Sequence, residues 1–156
     1  MGSGKSTVGN LLSRELGWPF IDLDLVIETG QGVSIREIFE RSGETFFREI
    51  EHAALREISK TEPAVVALGG GTFASEANVE LIRKTGGATV WLDCPVETLR
   101  QRCSTMQNRP LFRDPQSFAQ LLDLRLPYYR LAEYRISTED REPQEVIEQI
   151  LRLRIL

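Results

Sequence analysis

Short apolar runs alternate with longer segments of helical period along this chain. The runs at 19–22, 64–68, 88–92 and Tyr134–Ser137 have the length and the Val, Ile, Leu, Phe and Tyr content of buried or half-buried strands. Between them the period changes to that of helices. Lys5–Leu16 is expected to be helical, and so is the segment 43–60, where Phe47, Ile50, Ala54, Leu55 and Ile58 form one apolar stripe. That stripe is expected in the core, which leaves Arg48, Glu51 and Arg56 for a solvated face and the lone His52 for an ordinary helix-face position. Local signals mark the ends: Ser34 and Glu37 have capping-box spacing, Pro95 suits a first helical position with Glu97 close behind, and Gly30 and Gly86 suit helix stops. Strands that alternate with helices predict a parallel α/β sheet. No repeat, low-complexity run or linker interrupts the pattern, so residues 1–156 are expected to form a single domain.

The chemistry starts at the amino end. Met1-Gly2-Ser3-Gly4-Lys5-Ser6-Thr7 is the back half of the GxxxxGK[ST] phosphate-binding signature. Backbone N–H groups around Gly2, Ser3 and Gly4 can wrap phosphate oxygens, because glycine tolerates the dihedrals that turn them inward. Lys5 would reach the β- and γ-phosphates, Ser6 would ligate Mg²⁺, and the helix beginning at Lys5 would direct its positive end at the anion. The alternative is a plain glycine-rich helix entry, which needs neither the lysine nor the hydroxyl at these offsets. The first glycine of the signature would lie two positions ahead of Met1, and the strand that leads into such a loop has no counterpart in the chain.

Composition narrows the partners. With 41% hydrophobic and 27% charged residues in 156, the chain can build a full core. The 19 basic against 23 acidic residues give a net charge of −4, so no uniform basic surface invites nucleic acid or an anionic membrane, and small anions must be met by local arginines. Nothing resembles a membrane span or a signal peptide, and a cytoplasmic location is the expectation. Cys94 and Cys103 are too few for a zinc cluster and are expected to be reduced packing residues.

Three places depart from simple patterning. Asp22-Leu23-Asp24 closes an apolar strand at the edge where open α/β sheets bind ligands. One carboxylate could hold Mg²⁺ directly or through water and the other could accept a proton or a hydroxyl hydrogen bond, although either could be a turn or N-cap residue. Gly69-Gly70-Gly71 follows the run at 64–68 and removes every side chain where backbone must approach something closely, for which the phosphate acceptor is the expectation. The polar stretch 104–116, with Asn108-Arg109-Pro110 and Arg113-Asp114-Pro115, has the character of an arginine-bearing lid; a solvated loop is the alternative.

Taken in order, these motifs resemble the shikimate kinases over nearly the whole chain. The succession is GSGKST, Phe20-Ile21-Asp22-Leu23-Asp24, Phe47-Arg48-Glu49-Ile50-Glu51, Leu68-Gly69-Gly70-Gly71, Asn108-Arg109-Pro110-Leu111 and Arg125-Leu126-Pro127-Tyr128-Tyr129. The resemblance implies a P-loop three-layer α/β/α domain that transfers phosphate from ATP to the 3-hydroxyl of shikimate. It implies that Gly2, Ser3, Gly4, Lys5, Ser6 and Thr7 bind nucleotide, that Ser6 and Asp22 serve the Mg²⁺, and that Asp24, Arg48, Gly70 and Arg125 hold the acceptor. Asp24, Lys5 and Arg109 would be the catalytic groups, Arg109 from the lid, with Arg102 and Arg141 beside adenine. A monomer acting on small molecules is the expected form. Forked guanidinium groups at Arg48 and Arg125 suit a carboxylate on the acceptor, and Asp24 suits its hydroxyls.

The family's sheet has the order 2-3-1-4-5, so the strand without a counterpart here would be the central one. Three or four buried aliphatic side chains at roughly 1.5–3 kcal/mol each is comparable with a typical domain stability of ~5–15 kcal/mol. Family members often carry a methionine just before Gly-Ser-Gly-Lys, which gives Met1 the look of an internal residue; a shortened protein is the other expectation. A gluconate-type kinase is the alternative activity, less suited to the triple glycine and to the settings of Arg48 and Arg125. A non-catalytic nucleotide- or shikimate-binding protein is the alternative of another class.

Overall fold

The computed structural model describes residues 2–104 and 115–153. In chain order these form α1 (Lys5–Leu16), β1 (Phe20–Asp22), α2 (Leu23–Gln31), α3 (Ile35–Ile58), β2 (Val65–Ala67), α4 (Glu76–Lys84), β3 (Val90–Asp93), α5 (Val96–Ser104), α6 (Pro115–Tyr129), β4 (Tyr134–Ser137) and α7 (Pro143–Arg152). All four predicted strands are present: β1 and β2 are shorter than the predicted runs, β3 starts two residues later than predicted and extends to Asp93, and β4 has the predicted bounds. β1 pairs in parallel with β2, Phe20 opposite Val65 and Asp22 opposite Ala67; β3 pairs in parallel with β4, Val90 opposite Tyr134 and Asp93 opposite Ser137. The described residues therefore make two half-sheets, which correspond to strands 2-3 and 4-5 of the expected order.

Helices cover both half-sheets. Val8 and Leu12 of α1 join Val146, Ile147 and Ile150 of α7 and Ile136 of β4 in one buried cluster, with Val65, Val90 and Leu92 packed against it, so this helical layer contacts strands of both halves. Gly9 makes the approach possible, since a Cβ there would collide with the Phe20 ring. Leu23 and Ile27 of α2 pack with Ile38, Phe47 and Leu55 of α3 in a second cluster. Cys94, Leu99 and Phe118 form a third, which confirms Cys94 as a packing residue; the Cys103 side chain lies outside the described residues.

The helix ends follow side-chain and backbone chemistry. Ser34 and Glu37 complete the predicted capping box, and the Ser34 N–H, with its hydroxyl, holds the Glu37 carboxyl below the usual carboxylate range. The predicted segment 43–60 is continuous with this helix but set off from its first turns by a kink at Gly43, whose φ of 79° only glycine adopts comfortably. Gly30 does not stop α2. The helix continues to Gln31 and ends at Gly32, which takes the left-handed conformation (φ 68°) and donates its N–H to the Glu28 carbonyl at 2.9 Å. Pro95 sits one position earlier than expected: α5 begins at Val96, and the Pro95 carbonyl accepts from the Leu99 N–H at 2.9 Å. Gly86, with φ 76°, follows the end of α4 as predicted.

Candidate active site

The phosphate loop enters α1 through two left-handed glycines, Gly2 (φ 67°) and Gly4 (φ 85°), a conformation that turns successive N–H groups to one side. At the first turn of α1 the Ser6 hydroxyl donates to Asp22 Oδ2 at 3.1 Å, and Asp22 Oδ1 accepts the Asp24 N–H at 3.1 Å as the N-cap of α2. The N-cap reading of Asp22 is thus present in the structure. With its proton directed at Asp22, the Ser6 oxygen keeps lone pairs for a cation, and the nearby carboxylate supplies charge. A hydroxyl and a carboxylate form an oxygen donor set that suits Mg²⁺, which needs few protein ligands when phosphates and waters complete its shell. Among the described residues no group of three or more His, Cys, Asp or Glu side chains could hold a metal without them.

The acceptor end is built on the glycine turn that follows β2. The Thr72 N–H bonds the Gly69 carbonyl and the Ala74 N–H bonds the Gly71 carbonyl, both at 3.1 Å. Each glycine is pressed by a different side chain. A Cβ on Gly69 would lie 3.0 Å from Asp24 Oδ1; on Gly70, 2.6 Å from the Tyr129 hydroxyl and 3.0 Å from Arg125 Nη1; on Gly71, 2.5 Å from Arg48 Nη2. The turn therefore gathers a carboxylate from α2, a guanidinium from α3 and another from α6 around backbone that carries no side chain. The Tyr129 hydroxyl donates to the Gly70 carbonyl at 2.9 Å, and burial holds its pKa above the ordinary value despite Arg125 beside it, so it stays a donor.

Arg48 is held from behind. Its Nη1 donates to Glu51 Oε2 at 2.8 Å, while Nη2 and Nε reach Glu44 Oε1 at 3.0 and 3.2 Å. Burial alone would lower the Arg48 pKa, but the Glu51 and Glu44 carboxylates outweigh it and leave the guanidinium above its ordinary value. Glu51 contradicts the expectation of a solvated face: it is only 1% exposed. A carboxylate so enclosed would cost several kcal/mol without partners, and Arg48 is joined by Thr72 Oγ1, which donates to Glu51 Oε1 at 2.6 Å. Asn78 of α4 donates to the Thr72 carbonyl at 2.9 Å, and its Oδ1 lies 2.7 Å from His52 Nδ1. His52 is thus tied across to α4 rather than simply displayed on a helix face. The signal for Glu51 was its spacing, since Phe47, Glu51 and Leu55 lie on one line of the helix and the two apolar neighbours are buried.

Replacing Gly71 with Ala is expected to push the Arg48 guanidinium off the turn, because Glu51 and Glu44 leave it little room to retreat. The Michaelis constant for the acceptor should rise roughly tenfold or more, with that for ATP unchanged; unchanged acceptor kinetics would show that Arg48 does not work over Gly71.

Other predicted positions stand apart. Arg141 is exposed, and its Nη1 bonds the Ser137 carbonyl at 2.8 Å and Gln149 Oε1 at 3.1 Å, tethering the loop after β4 to α7. Thr7 is exposed on α1. Arg109 lies outside the described residues, as do 105–114 of the expected lid; at its ends, Ser104 belongs to α5 and Pro115 and Gln116 to α6. Arg102 falls within α5, and its side chain is not among those described.

A cavity of about 650 Å³ links Ser3 and Lys5 of the phosphate loop with Gly69, Gly70 and Arg125. A phosphate loop and an anion-gathering turn at one carboxyl edge of parallel strands define a P-loop kinase that acts on a small acceptor. The family model for shikimate kinase matches residues 1–154. The chain is 43% identical over 152 residues to the shikimate kinase of Moorella thermoacetica, covering 96% of this chain and 87% of that one. The solved shikimate kinase from Acinetobacter baumannii, in complex with shikimate, superposes with a TM-score of 0.93 at 38% identity, over 99% of this chain and 88% of the other. This chain belongs to the shikimate kinase family. A gluconokinase from Sinorhizobium meliloti shares the fold, at a TM-score of 0.66 and 21% identity over 97% of this chain and 85% of that one.

Proposed function

We propose that this chain transfers the γ-phosphoryl group of ATP to the 3-hydroxyl of shikimate, with the acceptor on the triple-glycine turn and the nucleotide on the phosphate loop. The observation that carries the reading is the turn itself, where Arg48, Arg125 and Asp24 each lie against one of three consecutive glycines. Two guanidinium groups suit the ring's carboxylate and fix its orientation; Asp24 then faces the hydroxyls, orients the attacking one and takes its proton. Lys5 and the lid residue Arg109 stabilise charge on the transferring oxygens, and the backbone of Gly2, Ser3 and Gly4 with Thr7 holds the remaining phosphates. Ser6 and Asp22 would hold Mg²⁺, which neutralises phosphate charge when bound. Gly70 brings its carbonyl and bare Cα to the acceptor, while Arg102 and Arg141 flank adenine. The enzyme acts as a monomer in the cytoplasm, where ATP is supplied; among the described residues no helix is long and apolar enough to cross a membrane.

Phosphoryl transfer is measured by coupled ADP release and by ³¹P NMR of the product, with shikimate and with gluconate. Shikimate should be preferred by roughly 10²-fold or more in kcat/KM, the scale expected when a site is built to pair specific polar groups. Equal use of gluconate would transfer the assignment to that alternative. Shikimate binding without a phosphorylated product would leave a binding protein.

A further inference from the structure

A buried polar cluster lies behind the glycine turn, and the chemistry proposed above leaves most of it unused. Glu51, Thr72 and Asn78 are 1%, 0% and 2% exposed, and they come from α3, the turn and α4. Groups so enclosed are costly unless each finds a partner; among the described residues no buried side-chain nitrogen or oxygen lacks one. Thr72 commits every polar group it has. Its N–H goes to the Gly69 carbonyl at 3.1 Å, its hydroxyl goes to Glu51 Oε1 at 2.6 Å, and its carbonyl accepts from Asn78 Nδ2 at 2.9 Å. The same hydroxyl oxygen lies 3.0 Å from the place of a Cβ on Gly69. Donor chemistry orients the rest. A carbonyl only accepts, so the Asn78 amide nitrogen faces Thr72 and its oxygen faces His52, whose Nδ1, 2.7 Å away, must carry a proton. Glu51 ends the chain by accepting from Arg48 Nη1 at 2.8 Å.

We propose that Asn78 is a positioning residue for the phosphoryl transfer: from α4 it fixes where the glycine turn stands against α3 and, through Thr72 and Glu51, the direction of the Arg48 guanidinium. The inference rests on the reading of the turn as the acceptor site. Packing alone at a buried helix position is met by an apolar side chain; an amide is needed there only for what it bonds. Without it the Thr72 carbonyl would be enclosed with no donor, and the turn would move to satisfy it. That movement draws the Thr72 hydroxyl from Glu51 Oε1. Glu51, left with Arg48 as its remaining partner in the cluster, would then pull the guanidinium away from Gly71, whose Cβ position lies 2.5 Å from Arg48 Nη2.

The test uses Asn78→Leu, which removes the amide, and Asn78→Asp, which keeps the shape and an acceptor for His52 but loses the amide donor to Thr72. Thr72→Val and Thr72→Ser, without and with the hydroxyl, probe the next link. The Nε–H NMR signal of Arg48, identified by its loss in Arg48→Lys, is recorded without ligands; steady-state kinetics with shikimate and Mg·ATP and thermal melting are measured alongside. In both Asn78 variants and in Thr72→Val the Arg48 signal should shift or broaden, and the Michaelis constant for shikimate should rise roughly tenfold or more. Turnover and the Michaelis constant for ATP should change by less than about threefold, as expected when only acceptor binding is disturbed. Thr72→Ser should restore both the signal and the acceptor constant. A lower melting temperature with the Arg48 signal and the acceptor constant unchanged would make Asn78 a stabilising residue only and overturn the proposal. Equal behaviour of Thr72→Ser and Thr72→Val would overturn it too, as would a parallel loss for shikimate and ATP. Should Asn78→Leu fail to fold, Asn78→Asp decides. The Arg48 signal is read without substrate, so an unmodified chain that does not use shikimate would count against the function proposed above, while the NMR comparison still decides this inference.

Discussion

Asp24→Asn is expected to lower kcat by roughly 10²–10⁴-fold, the range that a positioned general base contributes, while the affinity for Mg·ATP changes little. Asparagine keeps the size of the side chain at Gly69, where Asp24 Oδ1 lies 3.0 Å from a hypothetical Cβ, and removes the negative charge and with it the capacity to take a proton. Asp22→Asn should behave differently. Asparagine is as good an N-cap as aspartate, so the contact with the Asp24 N–H survives; the charge beside the Ser6 hydroxyl does not. The Mg²⁺ concentration needed for half-maximal rate should rise, with saturating kcat largely retained. Steady-state kinetics at varied Mg²⁺ separates the two residues. Near-normal turnover by the Asp24→Asn enzyme would remove the general-base assignment.

The elements visible in the sequence were those set by local chemistry. Strand positions, the Ser34–Glu37 box and the Asp22–Asp24 pair each follow from residues within a few positions of one another, and each is present in the structure. Gly30 misled because composition alone cannot choose between two glycines two positions apart; the left-handed turn fell on the second, where the Gly32 N–H could close on Glu28. Glu51 was hidden by a default about charge. Its burial depends on Thr72, 21 positions away in sequence, and on Arg48 turning inward from the same helix. Tyr129 was visible within a motif, but its role needed the 59-position contact with the Gly70 carbonyl. The glycine turn was legible as cleared space, and only the fold shows that each glycine is cleared for a different side chain.

That arrangement sets the last expected result, for Arg48→Lys and Arg125→Lys. Arg48 has five N–H donors, and the bonds to Glu44 and Glu51 use three of them, on Nε, Nη1 and Nη2. One N–H remains on each terminal nitrogen, and these two can meet a carboxylate over Gly71 as a fork. Lysine has three donors in all; after one each to Glu44 and Glu51, a single bond is left for the acceptor. Loss of one charge-assisted bond at about 1.5–3 kcal/mol predicts a rise of roughly 10–150-fold in the Michaelis constant for shikimate. Arg125→Lys should show the same pattern, since its Nη1 shares Gly70 with the Tyr129 hydroxyl and a flexible ammonium cannot reproduce that fixed placement. The Michaelis constant for ATP should move by less than about threefold in both variants, because neither arginine touches the phosphate loop in this reading. Isothermal titration with shikimate and with Mg·ATP, done separately, distinguishes acceptor recognition from general damage. A parallel loss of both affinities would make these arginines structural, and no loss of either would leave the acceptor's carboxylate without its partner.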